Sequence, residues 1–244
     1  MKFPNFSDPR RFYETTGPFA KGCIVLAAIL VVIGVYLGFF VTPIDYRQGN
    51  SYRIIFMHIP AAWMSLFIYT MMAVYTLWGL FTRSTMANVF AAAMAPTGAI
   101  MGFIALFTGS MWGKPTWGTY WVWDARLTSM LILFFLYLGY IALRAAFDDW
   151  RKADKAAAVI AIVGALNVPV IYFSVRWWNT LHQGASITSR GTSMETTMFV
   201  TVLLMVAALW IYCTGAVIER ARTEVLRRYK TEQWVQELAL EEGH

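Results

Sequence analysis

Residues Gly22–Val41 read GCIVLAAILVVIGVYLGFFV, twenty consecutive positions without a charged side chain. An α-helix rises about 1.5 Å per residue, so about 20 apolar residues span the hydrocarbon core of a bilayer. Inside that core every backbone N–H and C=O must find its partner within the protein, which selects a helix. The stretch is too long for the core of a secretory leader. Phe39-Phe40-Val41-Thr42-Pro43 closes it where a leader would have a small-residue cleavage site, so the expectation is an uncleaved first helix.

Working outward, five more stretches have the same character: roughly 57–81, 87–109, 127–147, 156–175 and 196–218. Together the six predict an all-α integral membrane protein, a bundle of six transmembrane helices forming one domain over 1–244. Strand-like alternation is absent, which excludes a membrane barrel. Composition agrees: 58% of residues are hydrophobic and 14% charged, against about 45–50% and about 25% in ordinary soluble domains. The segment 219–244 reads as a charged, solvated or interfacial tail helix carrying Leu226, Trp234 and Leu238.

Net charge is +6, but the basic residues cluster between apolar stretches, which speaks for membrane orientation and membrane lipids and against nucleic acid. Fourteen of the 20 Lys and Arg fall on the side that holds both chain ends, including Lys2, Arg83, Arg144, Arg151 and Arg220. Six, including Arg47, Arg53, Lys114, Arg126, Arg176 and Arg190, fall on the other. The bias predicts cytoplasmic termini and outer loops at 42–56, 110–126 and 176–195.

Those outer loops hold the unusual chemistry. The chain has three histidines, and His244 is its last residue. His58, in Arg53-Ile-Ile-Phe-Met-His58-Ile-Pro60, and His182, in Trp177-Trp178-Asn179-Thr180-Leu181-His182-Gln183-Gly184, share one membrane face. A single such histidine is more often an interfacial residue than a ligand. Two together, with no others in the helices, suit the axial positions of a haem iron and are too few for a closed zinc site. Cys23 and Cys213 lie inside apolar segments in no metal or thiol-redox motif and read as small core residues.

Between the two histidines runs Trp112-Gly-Lys-Pro-Thr-Trp117-Gly-Thr-Tyr120-Trp121-Val-Trp123-Asp124-Ala-Arg126. An interfacial belt would scatter its Trp and Tyr over many helix ends. This concentration makes an apolar platform suited to a planar macrocycle. Arg53, Arg126 and Arg176 flank the loops; Arg53 and Arg126 are candidate partners for ligand carboxylates, and Asp124 either orients an arginine or caps the fourth helix.

These residues carry a resemblance. Trp117-Gly-Thr-Tyr-Trp-Val-Trp-Asp124 is similar to the tryptophan-rich WWD signature of the haem-handling superfamily (CcmC, CcmF and CcsA types). With six helices, one upstream and one downstream histidine, and the run Trp177–Gly184, the chain most resembles the cytochrome c maturation CcmC family, over about Pro43–Gly184. The resemblance implies haem b held at the periplasmic face of the bacterial inner membrane, with His58 and His182 as axial ligands and the loop residues Trp117, Tyr120, Trp121, Trp123 and Asp124 binding the macrocycle. It implies delivery of haem to a periplasmic haem chaperone (CcmE-like), assisted by a small single-helix subunit (CcmD-like) and ATP-binding-cassette subunits (CcmA- and CcmB-like). Roles for Arg53 and Arg126 rest on charge chemistry alone.

No P-loop, acid–base pair or activated nucleophile is visible, so the reading is a haem-delivery protein rather than an enzyme. Two alternatives differ in class. A haem b quinol redox subunit would sink its histidines into the bilayer. A haem-translocating permease would carry ionisable residues near the midplane, and helices one, two, three and five show none.

Overall fold

A computed structural model describes residues 7–182, 187–188 and 191–242. Gln183, Gly184 and Arg190 of the third outer loop, with Lys2 and His244, lie outside the described residues. Eight α-helices follow in order: α1 Pro9–Tyr36, α2 Ile55–Thr82, α3 Thr85–Trp117, α4 Ala125–Ala145, α5 Trp150–Ala165, α6 Asn167–Trp177, α7 Thr196–Arg228 and α8 Gln233–Glu242. A π-turn, Leu37–Val41, prolongs α1, and a 3-10 turn, Ser51–Ile54, leads into α2. Among the described residues six helical spans are long and apolar enough to cross a membrane, α5 and α6 together making one of them.

Several of the expected helix boundaries move, the largest shifts for local reasons. The first helix begins at Pro9 rather than near Gly22, because Asp8 caps it by accepting from the Arg11 N–H at 3.1 Å and Pro sits at its first turn. The added turns pack on α7: Phe12 and Thr16 are buried, and the Arg222 guanidinium lies 4.2 Å from the Tyr13 ring and donates to the Tyr13 carbonyl. The third helix runs on to Trp117, so half of the expected tryptophan loop is helical. It stops where Gly118 takes a left-handed φ of +81° and its N–H reaches the Lys114 carbonyl at 3.0 Å. The fifth crossing breaks at Leu166, since Pro169 has no N–H and its ring would crowd the carbonyl of Ala165. The Asn167 amide, just past the break, donates to the Ser129 carbonyl of α4 at 2.8 Å.

At α7 the start falls where expected, at Thr196, and only the far end moves. Glu195 caps its start with both oxygens engaged, and the Thr197 N–H above all holds that carboxyl below its ordinary range. At the far end α7 runs ten residues past 218, so the first part of the expected tail belongs to the bundle. Of the separate α8, Trp234 rests against Tyr13, ring centroids 6.0 Å apart.

Helices alternate in direction. One end of the bundle gathers the ends of α1, α3 and α6 and the starts of α2, α4 and α7; it is called the loop end below. The core is apolar with small residues where helices approach. Tyr69 and Tyr137 are fully buried at its centre, edge to face at 4.8 Å, and their hydroxyls donate to the carbonyls of Ile160 at 2.9 Å and Ser65 at 2.7 Å.

At the opposite end four charges lock α4, α5 and α7 together. Arg144 pairs with Asp154 and, at 2.7 Å, with Glu224. Arg228, its side chain 0% exposed, reaches Asp154 and Glu224, each at 2.8 Å. Buried arginines satisfied on both sides are tolerated; a buried arginine that loses its carboxylate is not. Asp154→Ala is therefore expected to destabilise the protein by about 3–5 kcal/mol. Arg10→Ala, which breaks an exposed, solvent-screened pair with Glu14, should leave stability close to that of the wild type. Denaturant titration in detergent, followed by tryptophan fluorescence, separates the two, and equal small effects would show that the four-charge lock contributes nothing.

Candidate functional site

His58 occupies the first turn of α2 and faces the last turns of α3. Its Nδ1 lies 3.1 Å from the Thr108 hydroxyl, which itself donates to the Ile104 carbonyl at 2.6 Å. The Trp112 ring stands edge-on to the imidazole at 5.7 Å, and its indole N–H is fixed by Gln48 at 2.7 Å. Gly109 passes so close that a Cβ there would sit 2.9 Å from the imidazole Cε1.

His182 follows α6, beyond Trp177 and Trp178, and is half-buried. The Trp117 ring, at the very end of α3, lies 6.1 Å from it. The two histidines line one cleft at the loop end, and His58 lies within electrostatic reach of both His182 and Arg126. Trp112, Trp117 and Trp121 wall the cleft; Ala62, Leu66, Ala105, Met130 and Ile171 complete its apolar lining. Its free volume is about 70 Å³. The cleft is thus a narrow, partly open slot.

Two polar groups at the cleft are incompletely partnered by protein. The Trp121 indole nitrogen is buried and makes no hydrogen bond. Arg126, lining the cleft from the first turn of α4, donates to the Ile171 carbonyl at 3.3 Å, and among the described residues it has no ion pair. A half-buried guanidinium held without a carboxylate is a ready acceptor site for an anionic ligand group.

The other sequence candidates lie elsewhere. Arg53 does not line the cleft. Its guanidinium donates to the Gly38 carbonyl, to the Thr42 hydroxyl at 2.7 Å and carbonyl at 3.1 Å, and to Asn50 at 3.1 Å, which joins the end of α1 to the start of α2. Asp124 caps α4, accepting from the Leu127 N–H at 2.8 Å. Its second oxygen is buried without a partner. Trp123 is 77% exposed and Tyr120 51% exposed, the latter under the Lys114 ammonium at 5.4 Å. Trp123 and Asp124 border instead a shallow crevice with Asn179, Thr180 and Leu181. Arg176 lies 5.9 Å over Phe173.

Sequence reasoning missed the part of the site supplied by helix interiors: Thr108, Gly109, Met130 and Ile171. The one signal available was the polar run Thr108-Gly109-Ser110 ending an otherwise apolar span.

The donor set has a definite chemistry. Among the described residues no three His, Cys, Asp or Glu side chains converge, so nothing there would enclose a bare metal ion. Two imidazoles, an apolar slot with aromatic walls and a cation fit an iron whose other ligands come from a planar, carboxylate-bearing macrocycle.

Comparison with known proteins follows the same line. Residues 2–236 match the family model for heme exporter protein C. Heme exporter protein C of Escherichia coli (strain K12) is 46% identical over 235 residues, 96% of this chain and 95% of the relative. The protein of that name from Bradyrhizobium diazoefficiens is 44% identical over 229 residues, 93% and 87% of the two chains. A putative cytochrome c biosynthesis ccmC-like mitochondrial protein of Marchantia polymorpha is 47% identical over 197 residues, 81% and 83% of the two. With six membrane-crossing spans and bacterial relatives along its length, this is a multi-pass protein of the bacterial inner membrane. A match over nearly the whole chain, together with a cleft built from the two histidines and the tryptophan segment, means that the protein belongs to the heme exporter protein C family.

Proposed function

We propose that this protein holds haem b in the loop-end cleft at the periplasmic face, with His58 and His182 as axial ligands, and passes it to a periplasmic haem chaperone. A role in haem handling for cytochrome c biogenesis comes with the family. The observation that carries the finer reading is the convergence of two histidines on one slot walled by Trp112, Trp117 and Trp121. Arg126 is the group for a haem propionate; Arg53 is already committed to backbone carbonyls. The charge bias of the loops supports cytoplasmic termini and a periplasmic loop end. A small single-helix subunit and ATP-binding-cassette subunits are the proposed membrane partners, and the chain itself acts by binding and release rather than by catalysis.

Haem b is cargo here, so the site must grip and then let go. The slot is partly open, and His182 sits in a loop rather than in a helix. That leaves a ring edge within reach of a second protein, and loops change shape at lower cost than packed helices.

His58→Ala and His182→Ala are each expected to abolish transfer of haem to c-type cytochromes, read as covalent haem in a strain whose own copy is deleted. Wild-type levels with either variant would end the two-histidine reading. Trp121→Ala should lower haem occupancy about tenfold or more. A buried aromatic side chain contributes about 1.5–3 kcal/mol, and tenfold is about 1.4 kcal/mol. Trp123→Ala, outside the cleft, should leave occupancy unchanged; haem quantified per purified protein gives the answer, and identical losses would mean the loop acts as a whole rather than through the cleft wall. Wild-type protein should also prefer haem to its dimethyl ester by several-fold, and Arg126→Gln should erase that preference. Retention of the preference would move the propionate contact to another residue.

A further inference from the structure

The imidazole of His58 is held from three sides by α3. Thr108 meets its Nδ1 at 3.1 Å, Gly109 lies directly beneath its Cε1, and Trp112 stands edge-on at 5.7 Å. A threonine hydroxyl has one proton, and at 2.6 Å from the Ile104 carbonyl that proton is spoken for. Thr108 Oγ1 therefore faces His58 with a lone pair. The complementary group on the ring is an Nδ1–H donor, and a neutral imidazole with hydrogen on Nδ1 carries its free lone pair on Nε2.

We propose that Thr108, with Gly109 beneath the ring, is a positioning element for His58: it sets the Nδ1–H tautomer and the ring plane, and so presents Nε2 to the iron. The inference rests on His58 being an axial ligand. The hydrogen bond does two things. It removes the rotational freedom that a surface histidine would lose on binding haem. It also pulls electron density toward the ring, making Nε2 a stronger donor, and such donation favours ferric over ferrous iron. Hydroxyls accept less strongly than carboxylates, so the effect stands at the low end of the 10- to 100-fold range seen when outer-shell partners of metal-bound histidines are removed. Gly109 contributes space. An added methyl group there would press on Cε1 and tilt the ring while leaving the Thr108 contact intact.

The test uses the full chain purified in detergent with haem added. Thr108→Val keeps the shape and removes the acceptor; Thr108→Ser keeps the acceptor. Thr108→Val is expected to weaken ferric haem binding about tenfold. If ferrous affinity is unchanged, the midpoint potential rises by about 59 mV, the equivalent of tenfold for one electron. Thr108→Ser should restore both to near the wild-type values, which a purely space-filling role would not require. Gly109→Ala should weaken binding with Thr108 unaltered, and it serves as the readout should Thr108→Val fail to accumulate. A wild-type potential and affinity in Thr108→Val, or in Gly109→Ala if only that variant is obtained, would overturn the inference. Parallel measurement of His58→Ala separates the levels: an unchanged spectrum there removes His58 as a ligand and the inference with it. A lost spectrum with an indifferent Thr108→Val removes only the positioning role.

Discussion

Close approach of α3 to its neighbours is the constraint on which the rest of the structure depends. Ala91, Ala95, Gly98, Gly102, Ala105 and Gly109 recur at spacings of four and three, one stripe along the whole helix. In a bilayer no water drives helices together, and small residues that let backbones meet are what makes packing favourable. The stripe is occupied in order: the Tyr137 ring lies over Gly98, the Ser65 hydroxyl 3.1 Å from where a Gly102 Cβ would be, and the His58 ring over Gly109. The contact that centres the bundle and the contact that seats a candidate ligand are therefore parts of one surface. A larger side chain at Gly109 would press on the imidazole as well as on the helix.

Spans of twenty apolar residues were legible because hydrocarbon thickness leaves little choice of structure. Helix ends were not, because they answer to capping and to packing beyond the span. Asp8 and Pro9 start α1 outside the apolar stretch, and Gly118 ends α3 well inside what composition alone makes a loop. The histidine pair was legible by scarcity, since the helices offered no rival. Thr108 was not: its partner is fifty residues away, and only the packing of α2 on α3 brings them together. Arg53 shows the converse. Its position at the edge of a loop suggested a ligand contact, whereas the π-turn at Leu37–Val41 leaves carbonyls that an arginine nearby satisfies.

The tryptophans of the loop end divide into two populations that sequence could not separate. Trp112, Trp117 and Trp121 turn into the cleft, whereas Trp123, Trp177 and Trp178 are half or more exposed. Both environments favour a large amphipathic ring, one for apolar area and one for the membrane interface. The backbone decides between them. Helix α3 carries the first two inward to its last residue, and just before the Asp124 cap of α4 the rings of Trp121 and Trp123 meet edge to face at 5.5 Å, one lining the cleft and the other exposed.

The four-charge lock of Arg144, Asp154, Glu224 and Arg228 gives the molecule a mechanical polarity. At that end α4, α5 and α7 are riveted by directional bonds that lengthen only at high cost. At the other end the cleft walls meet through apolar rings and a few hydroxyls and amides. Helix α4 spans the two ends, carrying Arg144 in the lock and Arg126 at the slot, so one rigid element joins the buried ion pairs to the candidate ligand site.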